Sequence, residues 1–282
     1  MKIAAGIVTY CPNIERLKKN ILAINNQVDM IIIADNGSAN LNLIEELVMD
    51  MELGNTVNII SNKKNMGIAH ALNQIMHYAY KDGADYVVTL DEDSVCPKGY
   101  VECAKQYMDS DVAMIVPLLK ETESGEMCLL GTKVSGECQE LNKCITSAAI
   151  TNVKIWKKVR GFDGSMFIDY VDYDYATKCR INGYKILRLN NMILDHHIGK
   201  SEMKNIFGFK VRVANHSAFR KFYIGRNIVI YIRRYKHNIN VFAEILRLFK
   251  VFALIVLFEK DKRRKLSAFF KGIVAGIKYK KI

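Results

Sequence analysis

Asp91-Glu92-Asp93 ends an apolar, β-branched run, Tyr86-Val87-Val88-Thr89-Leu90, and concentrates the chemistry of this chain. Continuous apolar strands belong to buried parallel sheets, whose ligands collect beyond the carboxyl ends of the strands. The D-x-D spacing lets Asp91 and Asp93 face one divalent cation there, while strand alternation turns Glu92 the other way. Mg²⁺ and Mn²⁺ take oxygen ligands and share their shell with substrate phosphates, so this pattern suits a diphosphate held through a metal. A second acidic group, Asp169, Asp172 and Asp174, accompanies the aromatic residues Phe167 and Tyr170. Acids that complement a helix dipole explain Asp172 and Asp174. They do not explain Asp169 or the aromatic residues, which can line a sugar pocket.

These groups need a scaffold. Ile3–Tyr10, Val28–Ala34, Val57–Ile60 and Tyr86–Leu90 read as buried strands, and helices are expected over about 14–25, 43–51 and 67–81. Strands alternating with helices of this length mean βαβ units and a mostly parallel sheet. Thr9-Tyr10, Asp35-Asn36-Gly37-Ser38, Asn65-Met66-Gly67 and Asp91-Glu92-Asp93 then share the strand-end side. Asp35 and Asn36 can read the N3–H of a pyrimidine, with a plain Asx turn as the alternative. The Asn65–Gly67 helix start can favour a phosphate or shape the pocket. Further on, 112–117 is another strand, 121–140 a hairpin or loop, 154–159 a short helix carrying Trp156, 172–182 a helix closed by Gly183, and 184–189 a strand leading to His196-His197-Ile198-Gly199.

The ordered set of motifs over residues 3–200 resembles the family 2 glycosyltransferases of GT-A fold, most closely bacterial transferases that use dTDP-L-rhamnose. Gly161-Phe162-Asp163, Phe167–Asp172, His196–Gly199 and Arg220…Tyr223…Arg226-Asn227 carry the closer likeness. The resemblance implies a nucleotide site at Thr9, Tyr10, Asp35, Asn36, Asn65, Gly67 and Asp91. It implies Mg²⁺ or Mn²⁺ on Asp93, with His196 beside the metal or diphosphate. Asp172 would be the catalytic base, eleven residues before Gly183. Asp169, Trp156 and Asp174 are the expected sugar and acceptor residues. Two positions depart from the family pattern: Ala148 replaces a usual glycine, and Lys178 a usual arginine.

Charge separates the chain into two regions. The net charge is +12, yet residues 200–282 hold 21 Lys/Arg against 4 Asp/Glu, a net of +17, which leaves −5 for residues 1–199. The first region is expected to be the catalytic domain, with a nucleotide half to about 95 and an acceptor half to about 200. The second reads as basic amphipathic helices on an anionic membrane surface, since the apolar run 251–258 is far shorter than the ~20 residues a span needs. A packed helical pair or a homodimer face is the alternative, and no recognised motif supports nucleic acid. Seven cysteines with no C-x-x-C pair argue for reduced thiols. With no leader-like start, that places the protein in the cytoplasm, peripheral on the inner face of the cell membrane. Cys11, Cys103 and Cys179 read as small buried hydrophobes.

The expected function is therefore inverting, metal-dependent transfer of a sugar from a nucleotide-sugar donor to a glycan or polyprenyl-linked acceptor. The alternatives are a UDP-hexose donor, a nucleotidyltransferase, or a nucleotide-sugar or polyanion-binding protein without turnover.

Overall fold

The computed structural model of the chain describes residues 1–280 except 55, 123–124, 129–132, 197–201 and 207–208, with backbone only for 196, 202, 204–206 and 209–212. It divides into two compact units, Met1–Ser165 with Val171–His197, and Met166–Tyr170 with Ile198–Ile282. The segment Met166–Tyr170, expected inside the first domain, thus groups with the second.

In the first unit, β1 (Ile3–Thr9), α1 (Ile14–Asn25), β2 (Met30–Asp35), α2 (Leu41–Asp50), β3 (Val57–Ser61), α3 (Ile68–Lys81) and β4 (Tyr86–Asp91) follow one another as expected. β1 and β2 are buried along almost their whole length because helices cover the sheet. Asn13 starts α1 by accepting the Arg16 amide at 3.0 Å, which satisfies one orphan N–H of the first turn. After α4 (Tyr100–Lys105) come β5 (Val112–Glu121), β6 (Met127–Cys128), β7 (Cys138–Glu140), β8 (Ala149–Asn152), α5 (Val153–Lys158), α6 (Val171–Ile181) and β9 (Lys185–His196).

These strands form one nine-stranded sheet in the order β3-β2-β1-β4-β8-β5-β9-β7, with β6 on β5. The β3-β2-β1-β4 part is parallel. β8 was not apparent in the sequence. It runs antiparallel between β4 and β5, pairing Ala149 with Thr89 and Asn152 with Tyr86. Its first residue therefore stands beside the carboxyl end of β4, and α5 departs from the opposite end of the sheet.

The second unit holds the hairpin β10 (Glu202–Ile206) and β11 (Phe209–Val213), then α7 (Ala218–Tyr235), α8 (Val241–Leu257) and α9 (Lys262–Lys278). α7 and α9 pack backbone to backbone. A Cβ on Gly272 would lie 2.1 Å from the Phe222 carbonyl oxygen, so only glycine fits there. Glu259 is buried between two ammonium groups, 2.5 Å from Lys221 Nζ and 3.0 Å from Lys265 Nζ. Burial lowers the Lys221 pKa, and Glu259 opposes that shift. Cys179 is buried as expected, whereas Cys11 is exposed and Cys103 half-buried.

Candidate active site

The carboxyl ends of β1, β2 and β4 lie side by side, with Thr9 in register with Asp35 and Val8 with Asp91. Asp35 is fully buried and works as a local clamp. Its carboxylate accepts Thr9 Oγ1 at 3.0 Å, the Gly37 and Ser38 amides at 3.1 and 2.9 Å, and the Ser38 hydroxyl. The Asn36 amide donates to the Thr9 carbonyl at 2.8 Å, which closes the turn across the two strands.

Asn36 then reaches the next strand connection. Its Oδ1 accepts the Met66 amide at 2.9 Å, its Nδ2 donates to Asn65 Oδ1 at 3.2 Å, and Asn65 Oδ1 also accepts the Gly67 amide at 2.9 Å. Gly37 permits this approach: its φ is +85°, and a Cβ there would sit 2.7 Å from the Lys64 backbone. Thr9, Asp35, Asn36, Asn65 and Gly67 thus form one hydrogen-bonded rim. Tyr10 follows Thr9 at this rim and is 52% exposed.

Glu92 corrects the reading that strand alternation removes it from the site. Its carboxylate accepts the Tyr10 amide at 2.8 Å and so ties the acidic triplet to the end of β1. Burial raises the Glu92 pKa; the Tyr10 amide opposes this, and the charges of Asp93, Asp91 and Asp35 raise it further. Mutual repulsion of this kind is what a bound cation relieves. The all-oxygen donor set suits Mg²⁺ or Mn²⁺. Among the described residues, no cluster of three or more His, Cys, Asp or Glu could cage an ion. Asp93 lies 3.9 Å from Arg16 Nη1 at a partly exposed edge. β9 ends at His196, opposite Glu121, and the His196 side chain lies outside the described residues.

Asp172 occupies the first turn of α6, half-buried, and accepts Thr146 Oγ1 at 3.2 Å. The next residue, Ser147, donates its hydroxyl to Asp91 Oδ2. Thr89 Oγ1 pins this loop to β4 through the Thr146 and Ala149 carbonyls at 2.7 and 3.1 Å. Ala148 adopts φ +53°, a left-handed conformation that suits the glycine usual there. Cys144 lies fully buried nearby; burial first, then the charge of Asp172, pushes its thiol pKa well up. The sequence marks this stretch only through Ala148; the contacts of the Thr146 and Ser147 hydroxyls were not legible, and their signal is two adjacent hydroxyls just before a buried strand.

The remaining candidates are Asp174, Trp156 and Asp169. Asp174, also in the first turn of α6, is fully buried. Trp156 is 7% exposed and donates its indole N–H to Asn73 at 3.1 Å. Asn73 also holds the Phe162 backbone, at 3.0 and 2.9 Å. Trp156 is thus a packing residue against α3, because antiparallel β8 delivers α5 to the other end of the sheet. Asp169 belongs to the second unit, where Arg220 grips it with contacts of 2.9 and 3.0 Å.

Residues 6–127, which carry the rim and the acidic triplet, match the family described as Glycosyl transferase family 2. That match spans the nucleotide half of the chain, and the remainder of the chain lies outside it. A curated relative, the dTDP-rhamnosyl transferase RfbF of Shigella flexneri, is 26% identical over 98% of this chain and 94% of its own. Among solved structures, S. aureus TarS 1-349 superposes with a TM-score of 0.60 at 13% identity, covering 97% of this chain and 81% of its own. The mannosyltransferase PcManGT of Pyrobaculum calidifontis, in complex with GDP-Man and Mn²⁺, gives 0.55 at 12% identity, with 100% and 76% covered. At such identities these structures establish the GT-A fold. The family match, the RfbF relative and the shared fold together support glycosyltransferase activity.

Proposed function

We propose that the protein is an inverting, metal-dependent rhamnosyltransferase that takes L-rhamnose from dTDP-L-rhamnose. Asp172 beside the acidic triplet is the observation that carries this reading: adjacent hydroxyls of one loop hold Asp172 and Asp91. The Thr9–Gly67 rim and the Tyr10 ring would hold the thymidine. When bound at Asp93, Mg²⁺ or Mn²⁺ supplies positive charge for the leaving diphosphate. The acceptor oxygen bonds to the anomeric carbon as the carbon–oxygen bond to the diphosphate breaks on the opposite face. Its proton passes to the Asp172 carboxylate. The choice of dTDP-rhamnose rests on the RfbF relative. The fitting acceptor is a growing glycan on a polyprenyl carrier, with the enzyme peripheral on the cytoplasmic face of the cell membrane.

A donor panel tests this. With Mn²⁺ present, dTDP-rhamnose should be turned over faster than UDP-glucose, UDP-N-acetylglucosamine or GDP-mannose, and EDTA should stop turnover. NMR of the product should show an inverted anomeric configuration. Preference for another donor overturns the rhamnose assignment. Tight donor binding without turnover of any donor, in the presence of acceptor lipid extract, would make this a binding protein.

A further inference from the structure

α8 turns its apolar side outward. Phe242 and Phe249 are 68% and 64% exposed, and Leu246 and Leu257 share their helix face. The opposite side holds Glu244, buried against Tyr170 and Arg247. α9 repeats the pattern with Phe270 and Ile277 exposed, and Phe252 meets Phe270 at 5.9 Å, which joins the two stripes into one surface. An exposed apolar area of this extent marks an interaction face. Its surroundings are cationic: Lys250, Lys260, Arg263, Arg264, Lys271 and Lys278 are exposed, while Glu244 and Glu259 are turned inward and paired.

We propose that this face of α8 and α9 lies on an anionic lipid bilayer, with the aromatic rings at the acyl boundary and the cations at the level of the phosphates. Among the described residues, no helix is long and apolar enough to cross a membrane, so the helices lie along it. The cations choose the occupant. A second copy on the same face would bring like charges together, which costs affinity, whereas anionic headgroups complement them. The surface draws its purpose from the lipid-linked acceptor proposed above, but its evidence is independent of it.

Flotation of the full chain with phosphatidylcholine vesicles, with and without phosphatidylglycerol, tests the assignment. The parent should float only with the anionic vesicles, and added salt should release it. Phe242→Glu with Phe249→Glu, both at exposed positions, should weaken vesicle binding by about tenfold or more while melting temperature and turnover of soluble donor stay unchanged. A parent that stays unbound, or binds neutral vesicles equally, overturns the proposal, as does a double variant that binds like the parent. A parent dimer that the double variant converts to monomer would make a second copy the occupant. If vesicle binding survives but no donor is turned over, the transferase reading fails and the surface stands.

Discussion

Thr146 donates its hydroxyl to Asp172 across 3.2 Å, and its neighbour Ser147 donates to Asp91. One short loop therefore orients the candidate base and the first carboxylate of the D-x-D motif. The two hydroxyls should separate kinetically. Thr146→Val should lower kcat about fivefold to tenfold with little change in donor KM, the worth of a lost hydrogen bond of about 1 kcal/mol. Ser147→Ala should instead raise the donor KM and the Mn²⁺ concentration needed for half-maximal rate. Equal effects of both variants on both constants would reduce the loop to a packing role.

Asp172→Asn keeps the size of the side chain and its contact with Thr146 but cannot take a proton. Steady-state assays should show transfer reduced by roughly 10²–10⁴, with donor affinity within a few-fold of the parent. Folding should be nearly unaffected, since a helix-start carboxylate contributes only ~0.3–1 kcal/mol. A rate close to the parent would dismiss Asp172 as the base.

The acidic triplet gives a pH signature. The folded-state pKa of Glu92 is raised, first by burial and then by Asp93, Asp91 and Asp35. Its contribution to stability is therefore fully present below its ordinary value of 4.5 and is lost as pH rises through the raised value. A cation at Asp93 offsets that repulsion, so the thermal stabilisation by Mn²⁺ should grow as pH rises through this window. Melting curves at several pH values, with and without Mn²⁺, read it directly. Glu92→Gln should flatten the metal-free pH dependence, and Asp93→Ala should abolish the Mn²⁺ effect while the protein stays folded.

Sequence legibility tracked how far each element depends on distant contacts. β1, β2 and β4 are interior parallel strands, so burial on both faces writes them as apolar runs. β8 has four residues, half of them Thr151 and Asn152, and only its place between β4 and β5 makes it a strand. β9 reads as ending at Leu189 because its register with β5 jumps there: Pro117 pairs with Leu189 but Leu118 with Ile193. Asp35 and Asn36 were legible as a strand-end turn, since an Asx turn is local chemistry. Trp156 was not, because its position follows from the direction of β8. The same applies to Glu92, whose partner lies 82 residues away at Tyr10.

Tyr170 supplies the last prediction. Its hydroxyl donates to the Glu244 carboxylate at 2.5 Å and accepts from Arg247 Nη1 at 3.1 Å. Burial first, opposed by the Arg247 charge and reinforced by Glu244, keeps this hydroxyl protonated far above the ordinary range. Tyr170 and Asp169 both adopt left-handed backbone, at φ +67° and +63°, which persists only where neighbours hold it. Arg220 grips Asp169, and Asn227 donates to the Ile168 and Asp169 carbonyls at 2.8 and 2.9 Å. Tyr170→Phe keeps the ring but withdraws a donor from the buried Glu244, so denaturant unfolding should show a loss of about 1–3 kcal/mol. Tyr170→Phe combined with Glu244→Leu removes the stranded carboxylate and should recover part of that loss. Destabilisation that simply adds in the double variant would mean the two side chains do not act as a pair.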